Sequence, residues 1–324
     1  MLSVFLTVDT EVWPFTPNWR DSLLSREVEQ DIYGVTSDGE FGLTFQIDLL
    51  NEYGLKAVYF VESLFASAIG LEPLSKIVRV IQDRGQEVQL HLHTEWLDKL
   101  AKPILPGKIG RHLKNFSRDE QTLLIAEAAR NLEACGAHKL CAFRAGNYGA
   151  NFDTLHALAR NGIGFDTSHN TCYLNSTCSM PTPEPLLQPK EILGVYEFPI
   201  SFFCDYPGHY RHAQLCACSS GELENSMLQA WNKGWHSYVL VLHSFELVKR
   251  RGAPGKRALP DRLIIKRFRR LCRFLADNRD KFRTAVFSEL SRDSIPVSLP
   301  TRPLRSYPHL TVRRIAEQLI GRVV

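Results

Sequence analysis

Acidic and imidazole side chains lie in closely spaced pairs at the ends of two short apolar runs. Asp9 and Glu11 end the segment that begins VFLTV, and His91 and His93 follow EVQL. In an extended chain, residues two apart point to the same face, so each pair can enter one pocket. Two carboxylates repel each other unless a cation lies between them, and paired imidazoles at a strand end are typical of zinc sites. The four residues therefore predict a centre for a divalent metal, with zinc favoured.

Three further apolar runs also end in a titratable residue. Arg144 follows CAF, Asp166 follows IGF and His243 follows YVLVL. A partly buried histidine loses affinity for a proton unless a carboxylate compensates, and Asp166 is the predicted partner of His243. This pairing would fix the ring tautomer and let His243 donate a proton. Each of these residues, taken alone, also fits an ordinary core or surface position.

Helical patterns separate the apolar runs and must position these residues. The helices are predicted at residues 45–53, 73–84, 120–135 and 152–161. This alternation predicts an α/β fold with parallel strands and helices outside, in which reactive groups gather at the carboxyl ends of the strands. Residues 13–40 and 170–195 are rich in Pro, Asn, Ser, Thr and aromatic residues, so we expect them to form loops that wall the substrate site.

Length and composition favour one large domain. The chain has 324 residues, of which 44% are hydrophobic and 23% charged, as in an ordinary globular protein. No apolar run reaches the roughly 20 residues that cross a bilayer. The N-terminus lacks the features of a signal peptide and the eight cysteines are irregularly spaced, so a cytoplasmic location is expected. We predict a barrel over residues 1–291 and a tail over 292–324 that carries a short amphipathic helix.

Positive charge is concentrated in one segment rather than spread over the whole chain. A net charge of +4 gives no electrostatic argument for nucleic acid as a partner. Residues 249–283 nevertheless hold fourteen Lys and Arg against three Asp, and IIKRFRRLCRFLADN predicts a helix with a basic back. That back is either an ordinary solvated face or a peripheral contact with an anionic membrane or an acidic glycan.

Six short segments occur in the order found in one enzyme family. They are TVDTE, EVQLHLH, FRAGNYG, FDTS, YEFPIS and VLHS, and over roughly residues 1–290 the chain resembles the NodB-like polysaccharide deacetylases. The resemblance implies a distorted (β/α)7 barrel. It also implies a metal-dependent hydrolase that removes N-acetyl groups from an amino sugar, in a polysaccharide or in its lipid- or nucleotide-linked precursor.

The resemblance assigns roles to the residues around the metal. Asp9 would be the catalytic base, and Glu11, His91 and His93 would bind the metal that activates water. Arg144 would pair with Asp9.

Further roles concern the leaving group and the sugar. Asp166 would orient His243, which would protonate the departing amine. A backbone N–H near Asn147 or Tyr148 would stabilise the oxyanion. Both of these residues, together with Trp96, would contact the carbohydrate substrate.

The sequence departs from the family's pattern at three points. The second acid is usually Asp and lies one residue earlier than Glu11, and the usual proline after the arginine is absent. The family also spaces its metal histidines four apart, and the residue four after His91 is Glu95. If a helical turn begins at Thr94, Glu95 would replace His93 as ligand. We favour His93, because imidazole is the commoner zinc ligand.

Two other functions are compatible with the same pattern. The first is a hydrolase of a non-sugar amide on the same barrel, which would release no acetate from any glycan. The second is a carbohydrate-binding protein that has lost turnover, which would lack stoichiometric metal.

Overall fold

The computed structural model describes residues 1–13, 25–249, 258–296 and 303–323. Residues 14–24 of the predicted loop, 250–257 of the basic segment, and 297–302 and 324 of the predicted tail lie outside them. The strands are β1 (Leu2–Thr10), β2 (Val35–Thr36), β3 (Gly39–Glu40), β4 (Val58–Glu62), β5 (Glu87–Leu92), β6 (Ala142–Ala145), β7 (Phe165–Asp166), β8 (Lys190–Ile192), β9 (Val195–Glu197), β10 (Phe202–Tyr206), β11 (His209–His212), β12 (Ser237–His243), β13 (Val248–Lys249), β14 (Leu259–Pro260), β15 (Phe282–Thr284) and β16 (Leu304–Arg305).

The helices pack outside the strands, since each parallel crossover must return the chain to the same end of the sheet. They are α1 (Ser25–Asp31), α2 (Leu43–Glu52), α3 (Phe65–Ile69), α4 (Glu72–Asp83), α5 (Arg118–Ala134), α6 (Phe152–Arg160), α7 (Ser220–Asn232), α8 (Arg262–Asp277) and α9 (Pro308–Val323). The helices predicted from periodicity match α2, α4, α5 and α6 within two residues at each end. None of the described helices is both long and apolar enough to cross a membrane.

The main sheet contains seven parallel strands in the order β12-β1-β4-β5-β6-β7-β9. β8 pairs antiparallel with β9, and β15 pairs with the start of β1. Residues 198–201, which belong to no strand, link the β7 side of the sheet to β12. The Phe198 N–H donates to the Asp166 carbonyl in β7, and the Ser201 N–H donates to the Val239 carbonyl in β12. The sheet is therefore curled and irregularly joined, and the prediction of a distorted barrel is confirmed.

Aromatic rings fill the barrel below its carboxyl end. Phe287 stacks on Phe5 at 4.8 Å between centroids and meets Phe198 edge-on at 5.3 Å. Along β1, Phe5, Thr7 and Asp9 share one face because side chains alternate. The interior therefore changes from an apolar floor at Phe5 to a polar layer at Asp9.

The described part of the predicted tail packs on the barrel. β16 pairs with β10, and the buried Arg314 of α9 donates to Asp205 at 2.9 Å and to Glu222 at 3.1 Å. Arg267 of α8 donates to Glu317 of α9 at 2.8 Å. These bonds fix α9 beside α7 and α8.

Candidate active site

Strand pairing brings the predicted site residues to one edge of the sheet. Asp9 of β1 lies opposite His243 of β12, and His91 of β5 lies opposite Arg144 of β6. A cavity of about 280 Å³ opens at this edge. The predicted site residues that line it are Asp9, Glu11, His91, His93, Asn147, Tyr148 and His243.

Glu11, His91 and His93 form a buried cluster at the floor of this cavity. Their nearest ligand atoms all lie within 4.8 Å of one another. The Nε2 atoms of His93 and His91 lie 2.5 Å and 3.3 Å from the same Glu11 oxygen, Oε2. Burial alone would raise the pKa of Glu11, but the two imidazoles outweigh it and hold that pKa well below its usual range. The two histidines therefore favour the ionised form of the buried Glu11.

The outer ring nitrogens fix how both histidines face Glu11. A carbonyl oxygen can only accept, so the His91 Nδ1–H donates to the Arg144 carbonyl at 2.8 Å, and the His93 Nδ1–H donates to Glu95 at 3.3 Å. With its proton on Nδ1, a neutral imidazole presents a lone pair at Nε2. Anchoring of this kind is what orients histidine ligands on metals.

The donor set fits a divalent cation. A lone pair on His91 Nε2 and a carboxylate oxygen of Glu11 repel each other at 3.3 Å unless a cation lies between them. The buried Nε2 of His93 makes no well-aligned hydrogen bond with any described group, although Glu11 is close. One carboxylate and two imidazoles are a ligand set that zinc accepts, with room for a further ligand.

Glu95 lies outside this cluster. A 3₁₀ helix does begin at Thr94 and runs to Lys99. It turns the Glu95 carboxylate toward His93 Nδ1 and toward Asn147, whose Nδ2 donates to Glu95 at 2.9 Å. Glu95 therefore supports His93 from behind rather than facing Glu11.

Gly146 leaves the space that the His93 ring occupies. The sequence analysis did not single out this glycine. A Cβ at this position would lie 2.6 Å from three atoms of the His93 ring. A Cβ atom and a non-bonded ring atom do not come this close in proteins, so any residue larger than glycine must displace the ring. The glycine in FRAGNYG was the available signal.

Arg144 is fully buried and holds Asp9. Its Nη1 donates to Asp9 Oδ1 at 2.6 Å, and its Nη2 donates to Thr7 Oγ1 at 2.8 Å. The guanidinium also lies over the Phe60 ring, 4.6 Å from its centroid. Asp9 Oδ1 is thus engaged, while Oδ2 lies 3.9 Å from His243 Nε2.

The carboxylate beside His243 is Glu246, not Asp166 as the sequence predicted. Glu246 Oε1 lies 3.9 Å from His243 Nδ1 and accepts from Gln214 Nε2 at 2.7 Å. Burial lowers the pKa of His243, but Glu246 and Asp9 outweigh it and raise that pKa to about 9. His243 is therefore a positively charged imidazolium at neutral pH in this arrangement.

Asp166 belongs to a different buried cluster. Ser168 donates to its Oδ1 at 2.7 Å, and Glu197 lies opposite it on β9. Burial, followed by the repulsion from Asp166, raises the pKa of Glu197 well above its usual range. Glu197 therefore keeps a proton, which it shares with Asp166. Asp166 therefore pairs with Glu197, and the carboxylates that act on His243 are Glu246, Asp9 and Glu11.

The cavity wall contains Asn147 and Tyr148, which were predicted, and Tyr173 and Thr177 from the loop over residues 170–195 that was expected to wall the site; Gln214 was not predicted. Asn147 and Tyr148 both have a φ of 55°, which folds the chain back over the cavity. Tyr148 stacks on Tyr173, with centroids 5.4 Å apart and planes at 26°. Tyr173 ends a 3₁₀ helix at Thr171–Tyr173, whereas Thr177 and Gln214 belong to no helix or strand.

Trp96 does not reach the cavity, contrary to the sequence prediction. It is 1% exposed and packs against Phe65, 6.0 Å away between centroids. The 3₁₀ helix after His93 turns this side chain into the core. Trp13 lies nearer the site, edge-on to His93 at 4.5 Å.

Comparisons with known proteins give a relationship in fold. No protein-family model matches the sequence, and no curated protein does. A provisionally assigned polysaccharide deacetylase from Mycobacterium smegmatis is 19% identical, with a TM-score of 0.56 over 93% of this chain and 94% of that one. A family 4 carbohydrate esterase from Streptomyces lividans, solved with acetate, is 12% identical, with a TM-score of 0.45 over 93% of this chain and 97% of that one. The chain therefore has the fold of a polysaccharide deacetylase.

Proposed function

We propose that the protein is a metal-dependent hydrolase that removes N-acetyl groups from an amino sugar, in a polysaccharide or in its lipid- or nucleotide-linked precursor. The observation that carries the proposal is the convergence of Glu11, His91 and His93 beside Asp9 and His243. The name of the Mycobacterium smegmatis structure, which shares the fold, agrees with this chemistry. Fold alone would not select a reaction, so the argument rests on the site.

Glu11, His91 and His93 would hold the metal, for which zinc suits the donor set. When bound, a divalent cation would polarise the acetyl carbonyl and lower the pKa of a water molecule. The hydrogen bonds from both Nδ1 atoms keep the two Nε2 atoms directed at the cation.

Asp9 would act as the general base. Arg144 engages Oδ1 and leaves Oδ2 to take a proton from the attacking water. The same contact holds the carboxylate plane in place, so Oδ2 is directed into the cavity without a further ordering cost.

His243 would act as the general acid. It holds its proton because Glu246 and Asp9 raise its pKa to about 9. It would donate the proton on Nε2 to the amine nitrogen as the bond from that nitrogen to the acetyl carbon breaks. Since Nε2 lies 3.9 Å from Asp9 Oδ2, the acid and the base flank the same reacting carbon.

The remaining groups would bind the substrate. A backbone N–H of Asn147 or Tyr148 would donate to the developing oxyanion. The stacked rings of Tyr148 and Tyr173 offer an aromatic wall for the apolar face of a sugar. The small cavity suits one acetylated sugar ring rather than a deep tunnel.

Acetate release from N-acetylglucosamine oligomers and from nucleotide-linked N-acetylglucosamine tests the proposal. Zinc-loaded protein should release acetate, and a chelator should stop it. Asp9→Asn should lower kcat by about 10²- to 10⁴-fold while the metal stays bound. Asp98→Asn, at an exposed acid outside the cavity, is the matched control.

The competing functions give different outcomes. Sugar binding without acetate release, unaffected by Asp9→Asn, would identify a binding protein. Hydrolysis of simple amides without acetate release from any acetylated sugar would identify an amidase and overturn the deacetylase proposal.

A further inference from the structure

The exposed face of α8 is almost entirely cationic. The exposed residues of this helix are Arg262, Lys266, Arg269, Arg270, Arg273 and, at the far end, Asp277. Arg270 is paired with Glu224 at 2.6 Å and Arg262 lies 3.7 Å from Asp38. Lys266, Arg269 and Arg273 form no ion pair with any described residue, so their charge is available to a ligand.

A concave surface lies against this face. It encloses about 590 Å³ between α8 and the β2–β3 hairpin. Half-buried Phe41, Pro260 and Ile265 supply apolar contacts on its floor, while the exposed arginines and Lys266, together with the single acid Asp38, form its rim. Arg269 is ordered over the Phe45 ring, 5.3 Å from the centroid. An apolar floor with a cationic rim matches a ligand that is both anionic and amphipathic.

The neighbouring helix α9 exposes apolar residues outward. Val312, Ile315 and Leu319 are 66%, 46% and 58% exposed, and their spacing places them along one side of the helix. The opposite side is polar, and its Arg314 is buried against the barrel. This is the reverse of the usual amphipathic arrangement, in which the apolar stripe faces the core.

Contacts between α8 and α9 make these two features neighbours. Arg267 donates to Glu317 at 2.8 Å, so the two helices touch on the outside of the barrel. The basic face of α8 and the apolar stripe of α9 therefore belong to adjoining surface. A bilayer offers both complementary chemistries, because anionic headgroups attract the cations and the interface accepts apolar side chains.

We propose that the α8 basic face and the α9 apolar stripe dock the protein on a bilayer that contains anionic phospholipids. A nucleic acid would use the cations but leave the apolar stripe in water, so the lipid surface is the better match. The concave surface would take a headgroup phosphate at its rim, where guanidinium groups can bind two oxygens at once. The inference is independent of the hydrolase proposal.

Co-sedimentation of the full chain with vesicles tests this inference. Vesicles of phosphatidylcholine with phosphatidylglycerol should bind the protein at low salt, and vesicles of phosphatidylcholine alone should not. Binding should fall in about 1 M salt, where the Debye length is about 3 Å. The triple variant Lys266→Gln/Arg269→Gln/Arg273→Gln should weaken binding by about two orders of magnitude, at roughly 1 kcal/mol per charge.

Matched variants separate this surface from general charge and hydrophobicity. Arg79→Gln/Lys102→Gln/Lys190→Gln makes the same charge change at exposed positions elsewhere and should leave binding near the original level. Val312→Ser/Ile315→Ser/Leu319→Ser should weaken binding, whereas Leu71→Ser/Ile109→Ser/Leu123→Ser, at other exposed apolar positions, should not. Circular dichroism checks that each variant is folded.

Several results would overturn the inference. These are equal binding to neutral and anionic vesicles, no binding to either at low salt, or an equal loss in the matched control variants. Binding to a labelled RNA duplex that the α8 triple variant abolishes, with no vesicle binding, would assign the surface to nucleic acid instead.

Discussion

His91 donates its Nδ1–H to the backbone carbonyl of Arg144 at 2.8 Å, and the side chain of Arg144 holds Asp9 at 2.6 Å. One residue thus orients a proposed metal ligand through its main chain and the proposed base through its side chain. The pairing of β5 with β6, which sets His91 opposite Arg144, makes this possible. A substitution at position 144 can therefore remove the second contact and keep the first.

Arg144→Gln should lower the free energy of unfolding by about 3–5 kcal/mol, because it leaves Asp9 as a buried carboxylate without its ion pair. Metal affinity should change much less, since the carbonyl still accepts from His91. Denaturant unfolding and metal titration measure the two effects. Arg160→Gln is the control: it breaks an exposed pair with Asp119 and should leave stability essentially unchanged. Equal losses in both variants would contradict the assignment.

Glu11→Gln should abolish stoichiometric zinc binding, because it removes the only carboxylate within the Glu11–His91–His93 cluster. Glu95→Gln should weaken zinc binding by about 10- to 100-fold without abolishing it, as expected of a group that supports a ligand. Equilibrium dialysis with metal analysis gives both numbers. The reverse order of effects would make Glu95 a ligand.

Glu246→Gln should move the alkaline limb of the kcat–pH profile to lower pH. Glu246 helps to raise the pKa of His243 to about 9, and a proton donor works only below its pKa. Loss of the carboxylate therefore makes His243 release its proton earlier as pH rises. Asp166→Asn should leave that limb in place, and a shift with Asp166→Asn alone would restore the partner that the sequence suggested.

Gly146→Ala should lower zinc affinity, because the new methyl group would lie 2.6 Å from the His93 ring and push Nε2 away from Glu11. Gly164→Ala is a matched control, since a Cβ there meets nothing within 4 Å. Zinc titration of the two variants makes the comparison. Unchanged affinity in Gly146→Ala would mean that His93 does not bind the metal.

Glu197→Gln should stabilise the protein increasingly as pH rises. The folded-state pKa of Glu197 is raised well above its usual value of 4.5, so its contribution to stability is complete below pH 4.5 and is lost as the pH rises toward the raised pKa. The loss amounts to at most about 1.4 kcal/mol per pH unit. Glutamine has no proton to release, so the variant avoids this loss of stability. Unfolding measured across the pH range checks this, with Glu184→Gln, at an exposed acid, as the control that should show no trend.

The parts of the site that follow strand alternation were predictable. Asp9 and His91 lie at the ends of β1 and β5, and Glu11 and His93 follow these strands directly, so a period of two sufficed to bring each pair to one face. The α/β fold with parallel strands followed from the alternation of strands and helices, whereas the distorted barrel followed from the resemblance to the NodB-like family. The carboxyl-end rule then gathered the residues.

The parts that depend on turns and irregular chain were not predictable. Glu246 lies in a turn three residues after His243, where no strand period sets its direction. Gln214 meets His243 only because an irregular segment pairs with β12. Trp96 was misplaced because the 3₁₀ helix at Thr94–Lys99 rotates it inward. Asp166 was misassigned because its partner Glu197 comes from a strand that sequence spacing cannot align with it.

The pairing of β1 with β12 also constrains how the protein matures during synthesis. Asp9 is synthesised before its register partner His243, which follows it by more than two hundred residues of chain. Contacts so distant in sequence form late and slowly. A nascent chain therefore keeps the proposed base and the proposed acid apart until β12 pairs with β1, and we expect truncated chains that stop before β12 to lack the proposed hydrolysis.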